Sequence, residues 1–147
     1  MKTKHFLLPF IFLCLLLPSQ VQAQDIYEVK FIAGVTQYRA AMALFDDGTG
    51  LMRVRYYSNG TKMVEQSLIL EETTVGIRVT GYDPVYPGTN TPHPSYNADN
   101  FYISQDEYGD VSIVNIDDNG VTASATMRLI EGYYAKQNFL DDFNWKL

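Results

Sequence analysis

The sequence predicts an all-β fold: an antiparallel up-and-down meander of about eight strands that closes into a small barrel. Three observations predict it. At four places glycine follows two turn-forming residues between alternating segments, and the hairpins that such turns set place apolar side chains on one continuous face. The chain is also rich in tyrosine, with 11 among its 147 residues, and strands favour tyrosine.

Residues 1–23 have the pattern of a secretory signal peptide. Two lysines precede an apolar run over residues 6–17, and Val21-Gln22-Ala23 provides a small-residue cleavage site. The run is too short to cross a bilayer comfortably, and no second apolar run follows it. We therefore expect a secreted or periplasmic protein that begins near Gln24 and has no transmembrane segment. Cys14 lies inside the apolar run, and we interpret it as an ordinary signal residue.

Charge and cysteine usage narrow the chemistry of the mature chain. Without Lys2 and Lys4, nine basic residues face 17 acidic ones, a net charge of −8. This balance argues against nucleic acid and anionic membranes as partners. The lack of a further cysteine excludes disulfides and thiolate metal sites. We expect no cofactor and no metal, because His93 has no second imidazole or thiolate to share an ion with.

Hairpin turns fix the registers of the first half of the chain. Turns centred on Asp47 and Asn59 each need a left-handed residue next, a position that glycine takes without steric cost. The first turn pairs Ala40 with Val54 and the second pairs Val54 with Val64, so both hairpins share one apolar face. The same registers pair Met42 with Met52, Tyr38 with Tyr56, and Met52 with Gln66.

Four more turns continue this face through the remaining strands. They lie at Ala33-Gly34, over residues 71–74, and at the glycines Gly109 and Gly120. The predicted pairs are Val29–Tyr38, Tyr27–Ala40, Leu70–Val75, Leu68–Ile77, Ile103–Ile113, Ile113–Ala125 and Val111–Met127, with Phe101, Asn115 and Ala123 on one rung. The predicted strands lie near residues 26–31, 36–45, 50–57, 61–70, 75–81, 100–106, 110–117 and 121–130.

The predicted barrel domain spans residues 24–130, and residues 131–147 form a C-terminal tail. Phe139, Leu140 and Phe143 have the spacing of one face of a short helix packed on the barrel. A frayed end or the start of a linker is the alternative. Inside the barrel, the registers direct Gln66 and Asn115 inward. A buried amide needs a partner, which would be the other amide, water or a ligand.

Residues 82–98 interrupt the regular rhythm of strands and turns. This loop contains four prolines and the only histidine after the signal, and loops of this length in a compact domain tend to be functional or disordered. Tyrosines provide large amphipathic contact area. We predict either a binding surface here or a lid that closes the barrel end. The candidate contact residues are Tyr82, Asp83, Tyr86, His93 and Tyr96.

A second candidate site lies on the opposite face of the sheet. The registers place Arg39 directly across from Arg55, and Arg53 across from Glu65. Like charges abreast are unfavourable unless something lies between them. An anionic ligand or partner between the arginines would relieve the repulsion. The alternative is that an Arg53–Glu65 ion pair and solvent screening reduce the repulsion without a ligand.

Three segments resemble a known domain: residues 47–56, residues 81–86 and residues 96–101. They are similar to an accessory β domain of secreted Bacteroidetes-type proteins, which sometimes shares its chain with a caspase-like peptidase. The resemblance implies a non-enzymatic domain outside the cytoplasm, and it transfers no catalytic residues. The resemblance also suggests a separately encoded secreted peptidase as one candidate partner.

These observations lead to one principal functional expectation. We expect a non-catalytic binding or accessory module that recognises a protein, a peptide or a cell-surface component. The alternative is a lipocalin-like carrier with a small apolar ligand in the barrel interior. A hydrolase using carboxylates such as Asp83 and Asp99 has the weakest basis, because no known spacing pairs them.

Overall fold

The computed structural model describes residues 25–146, so the predicted signal peptide lies outside the described residues. Eight antiparallel strands form a closed barrel in which each strand pairs with the next and the last pairs with the first. The helix α1 follows the last strand. The strands are β1 Asp25–Ala33, β2 Thr36–Leu44, β3 Thr49–Tyr57, β4 Thr61–Thr73, β5 Gly76–Val85, β6 Asn100–Gln105, β7 Val111–Ile116 and β8 Thr122–Leu129, and α1 is Tyr133–Asp141. The predicted fold class is therefore confirmed.

The glycine-ended turns set the registers as predicted. The four turn glycines all have positive φ angles, between 78° and 114°. Ala40 pairs with Val54 and Val54 with Val64, so the apolar face continues across three strands. In the second half, Ile103 pairs with Ile113. The pairs between β7 and β8, such as Asn115 with Ala123, follow the predicted register.

Two predicted turns were misplaced. Leu70 pairs with Val79 rather than Val75, because β4 continues to Thr73 and the turn lies at residues 74–75. The hydroxyl of Thr73 stabilises that turn by donating to the carbonyl of Gly76 at 2.9 Å. Likewise Val29 pairs with Ala40 rather than Tyr38. The predicted pairs Leu68–Ile77 and Tyr27–Ala40 are wrong for the same reasons, with Leu68 opposite Gly81 and Tyr27 opposite Met42.

Both errors shift the register by an even number of residues. Side chains alternate between the faces of a strand, so an even shift moves a residue along the strand and leaves it on the same face. The interior is therefore the predicted one. Its buried members include Val29, Met42, Met52, Leu68, Val79, Phe101 and Ile113.

The C-terminal segment, which we define as residues 131–146, packs on the outer face of the barrel. Phe139, Leu140, Phe143 and Trp145 contact a surface that includes Ile26, Ala41 and Ala43. The two alanines leave room for the helix to approach the sheet. The packed helix is thus the correct reading of the tail. Within residues 25–146, no helix is long and apolar enough to cross a bilayer.

Helix α1 ends in a defined reversal. The amide of Trp145 donates to the carbonyl of Leu140 at 3.0 Å, and the amide of Asn144 donates to that of Asp141 at 3.0 Å. Asn144 has a φ of 51°. This is the Schellman arrangement, in which a left-handed residue turns the chain and an apolar contact accompanies it. Here that contact joins Leu140 and Trp145, which belong to one buried cluster, so Trp145 is held against the barrel.

Candidate functional site

The loop between β5 and β6 begins as a small hairpin. Val85 pairs with Pro92, and the amide of Tyr86 donates to the carbonyl of Thr91 at 3.0 Å. The amide of His93 donates to the carbonyl of Pro84 at 2.8 Å. We call residues 82–93 the tyrosine hairpin. Its main-chain bonds and its prolines give the loop a defined shape, because proline fixes φ and reduces the freedom of the open loop.

A bulge in β5 lies at the start of the tyrosine hairpin. Tyr82 pairs with Ser67 but Val85 pairs with Glu65, so two residues of β5 lie opposite Gln66 alone. Asp83 within this bulge has a φ of 49°, which is uncommon for a residue other than glycine. Bulges of this kind bend a strand and redirect its side chains.

The tyrosine hairpin and the barrel wall enclose an open cleft of about 680 Å³. Leu51, Glu65 and Ser67 form the wall side, while Asp83, Pro92 and His93 contribute from the hairpin. Tyr82 and Tyr86 lie exposed on the hairpin, at 39% and 42% of their surface. Of the five predicted contact residues, Asp83 and His93 line the cleft, Tyr86 lies against His93, and Tyr82 is exposed at the start of the hairpin.

The fifth predicted residue, Tyr96, has a different position. Its ring lies 5.5 Å from the ring of Tyr56 and 6.4 Å from that of Tyr38, measured between centroids. The rings of Tyr38 and Tyr56 are partly buried and pack against the barrel core. His93 lies 6.0 Å from Tyr96 and 4.9 Å from Tyr86, so it connects the exposed and the covered tyrosines. Tyr96 closes the barrel end, as the lid interpretation of this loop described.

Tyr96 and Asp99 form the polar contact beneath this closure. The phenol hydroxyl donates to Oδ2 of Asp99 at 2.6 Å. Burial raises the pKa of Asp99 to about 7, although the hydrogen bond from Tyr96 acts in the opposite direction. Burial also raises the pKa of Tyr96, and the negative charge of Asp99 adds to the effect. The two groups thus form a coupled pair at the barrel end.

Gln66 ties Asp99 to the barrel wall. Its side chain is fully buried; Oε1 accepts the amide of Asp99 at 3.0 Å, and Nε2 donates to the carbonyl of Asp99 at 3.2 Å. Asn115, the other inward amide, donates instead to the carbonyl of Asn100 at 3.2 Å. Each inward amide therefore holds loop or strand backbone, and the two do not bond to each other.

The barrel interior is filled at the level of these residues. Gln66, Met42, Met52 and Phe101 are fully buried, whereas side chains that line a void large enough for water would have accessible surface. A carrier function would require these side chains, or Tyr96 above them, to move.

The predicted arginine patch contacts the C-terminal segment. Nε of Arg53 donates to Oε2 of Glu65 at 2.6 Å, and its Nη1 donates to the carbonyls of Phe143 at 3.1 Å and Asn144 at 2.6 Å. Nη1 of Arg55 donates to the carbonyl of Asp142 at 3.2 Å. The last carbonyls of a helix have no partner within the helix and carry its negative dipole end. Two arginines thus stabilise the end of α1, and the Arg53–Glu65 pair is present as predicted.

Arg39 completes this contact. Its Nη1 donates to Oδ2 of Asp142 at 3.1 Å, and its Nε donates to Oε1 of Glu28 at 2.7 Å. The guanidinium groups of Arg39 and Arg55 both lie over the ring of Phe143, at 5.4 Å and 5.6 Å. The anionic group beside the opposed arginines Arg39 and Arg55 is the carboxylate of Asp142, which belongs to the chain itself.

Two features of the site were not expected from the sequence. The sequence showed Gln66 facing inward, but its partner Asp99 lies 33 residues away and was considered only as a hydrolase carboxylate. The role of the arginines at the end of α1 was also missed. Within residues 25–146, no group of three or more His, Cys, Asp or Glu side chains is placed to hold a metal ion.

Comparisons with protein-family models, with curated proteins and with solved structures find no match to this chain.

Proposed function

We propose that this protein is a secreted or periplasmic, non-catalytic binding module whose partner contacts the tyrosine hairpin. The observation that carries the proposal is the exposure of Tyr82 and Tyr86 on a loop whose main chain is fixed by its own hydrogen bonds. Aromatic side chains on a pre-shaped loop bury much area at little entropic cost, a combination typical of binding surfaces.

The cleft beside the hairpin supports a protein or peptide as the partner. At about 680 Å³ it falls in the range of clefts that hold ligand groups. Asp83 provides an acidic group there, and Val85 and Pro92 provide apolar contact. An extended segment with an apolar side chain and a basic or amide group would complement this lining. The resemblance to accessory domains of secreted proteins suggests a separately encoded secreted peptidase as one such partner.

Site-specific photo-crosslinking in the native host tests the proposal. A photoreactive phenylalanine analogue replaces Tyr86 in one variant and Tyr108 in the other. Tyr108 is a matched control, because it is 84% exposed and lies in the β6–β7 turn at the other end of the barrel. We expect one discrete crosslinked protein from position 86 and none of that mass from position 108.

The identified partner then permits a quantitative measurement. Truncation of an interface tyrosine typically costs 2 kcal/mol or more at a hot spot, about a thirtyfold loss of affinity. We expect Tyr86→Ala or Tyr82→Ala to reach this loss and Tyr108→Ala to leave affinity unchanged. Equal affinities for all three variants, or a partner captured only from position 108, would refute the proposal.

A further inference from the structure

One row of side chains on the outer face of the barrel is basic across three strands. Lys30 pairs with Arg39, and Arg39 pairs with Arg55. Like charges directly opposite one another on a sheet are destabilising. We call these three residues the cation row. Since neighbouring strands lie about 4.8 Å apart, the row is roughly 10 Å long.

The carboxylates near the cation row do not neutralise it. Glu28 receives hydrogen bonds from Arg39 and Arg128, and Lys30 lies 3.7 Å from the same carboxylate. Among the described residues, the carboxylate of Asp142 has its ion pair with Arg39. Within residues 25–146, Arg55 has no carboxylate within salt-bridge distance, and its only hydrogen bond goes to a carbonyl. Four cations therefore surround two carboxylates in a domain whose net charge is strongly negative.

The cation row borders an open groove of about 640 Å³. Pairing between β1 and β8 ends at Phe31 and Ala125, and beyond this point Ile32 and Ser124 line the groove. Ile32 is half exposed and offers apolar contact. Gln37, Ser124 and Thr126 offer side-chain hydrogen bonds along the same groove. It shares no lining residue with the cleft beside the tyrosine hairpin.

From these observations we propose that the groove binds an acidic polypeptide segment, with carboxylates on the cation row and an apolar side chain against Ile32. Charge complementarity is the first reason, because two excess positive charges lie in an otherwise acidic domain. The second is that Arg39 and Arg55 already bind peptide of this kind within the chain, namely the Asp142 carboxylate, its carbonyl and the ring of Phe143. Alternate residues of an extended peptide lie about 6.6 Å apart, so two carboxylates fit along the row.

Fluorescence anisotropy with the full mature chain tests this inference. The probe is a labelled peptide in which three glutamates alternate with apolar residues, and its counterpart with glutamines is the charge control. We expect saturable binding of the glutamate peptide that weakens with salt, and no comparable binding of the glutamine peptide.

Two variants locate the binding. Lys30→Gln removes an exposed member of the cation row and should reduce the affinity for the glutamate peptide about fivefold, the effect of one partly screened ion pair. Gln37→Glu adds a negative charge to the groove and should reduce this affinity further. Lys62→Gln makes the same charge change at an exposed lysine outside the groove and should leave binding unchanged.

Three outcomes would overturn the proposal. In the first, Lys30→Gln and Lys62→Gln bind the peptide equally, so net charge alone matters. In the second, the glutamate and glutamine peptides bind alike. In the third, a sulfated polysaccharide or inorganic phosphate binds more tightly than the peptide and loses affinity in Lys30→Gln, which would assign the groove to a different anion. None of these results affects the crosslinking test of the tyrosine hairpin.

Discussion

Gln66 and Asp99 exchange two hydrogen bonds across the inside of the barrel wall, although 33 residues separate them. The amide side chain of Gln66 satisfies both main-chain groups of Asp99, as a neighbouring strand would. The long loop therefore returns to the barrel at a fixed point, from which Tyr96 covers the barrel end. Gln66 therefore positions Asp99 and, through the hydrogen bond between them, Tyr96.

Replacing Gln66 with leucine should destabilise the fold by about 2–3 kcal/mol, because it leaves a buried N–H and a buried C=O without partners. Urea unfolding measures the change. Gln105→Leu is the matched control, since Gln105 is exposed and makes one hydrogen bond, to the carbonyl of Gly109 at 2.9 Å. Its cost should be below about 1 kcal/mol. Equal losses in the two variants would contradict the role assigned to Gln66.

Gly81 lies where the wall, the loop and Gln66 approach most closely. A Cβ atom added there would be 2.6 Å from Nε2 of Gln66 and closer still to the carbonyl oxygen of Asp99. We expect Gly81→Ala to cost about 2 kcal/mol through overpacking, measured by thermal or urea unfolding. Tyr82→Phe changes the adjacent exposed position and should be neutral. A stable Gly81→Ala protein would show that the loop does not pack as closely as described.

The raised pKa of Asp99 predicts a dependence of stability on pH. Its pKa is about 7 in the folded chain and about 3.9 when unfolded, so the folded state binds the proton more tightly. The resulting stabilisation is complete below pH 4 and is lost as the pH rises towards 7. Asp99→Asn removes this titration.

We therefore expect the unfolding free energy of the wild type, minus that of Asp99→Asn, to fall by more than about 1 kcal/mol between pH 5 and pH 8. Parallel urea titrations of both proteins measure this difference. Subtraction removes the contributions of other titrating groups, such as Glu28. A difference that stays constant or increases over this range would show that the Asp99 carboxyl is not protonated preferentially in the folded state.

Arg53 should be the main polar attachment of the C-terminal segment. Its guanidinium bonds to Glu65 and to two carbonyls at the end of α1, and it lies over the ring of Trp145 at 5.4 Å. Arg53→Ala leaves these groups without their partner and should cost about 3 kcal/mol. Arg78→Ala, on an exposed part of β5, is the control and should cost less than about 0.5 kcal/mol.

Fluorescence gives a second readout for Arg53, because Trp145 is the only tryptophan of the chain and is 5% exposed. If the C-terminal segment loosens in Arg53→Ala, the emission of Trp145 should shift to longer wavelength before global unfolding. Unchanged emission together with unchanged stability would contradict the attachment.

The turns and the faces of the strands could be predicted from the sequence because their causes are local. Asp47-Gly48 and Asn59-Gly60 permit few backbone shapes, and each shape sets a register. The two misplaced turns show the limit of this reasoning. The polar residues 71–74 looked like a turn, but residues 71–73 are the exposed end of a long β4, and polarity alone does not distinguish a strand end from a turn.

The candidate site was predictable only in part, for a similar reason. The density of proline and tyrosine marked residues 82–98 as special, but it did not separate the exposed Tyr86 from Tyr96, which is covered. That distinction depends on whether a side chain lies above the barrel opening. The Arg39–Arg55 opposition followed from the register, whereas the position of Asp142 beside Arg39 did not.

Local signals in the chain were enough to predict the eight-strand meander, its inward face and the opposition of like charges on its outer face, because turn chemistry and the two-residue period of strands act over a few residues. Three contacts became visible only in the folded chain: Tyr96 over the barrel end, Gln66 with Asp99, and the C-terminal segment on the arginines. Those contacts join residues between 33 and 103 positions apart, where the chain's path through space, rather than its local preferences, determines which groups meet.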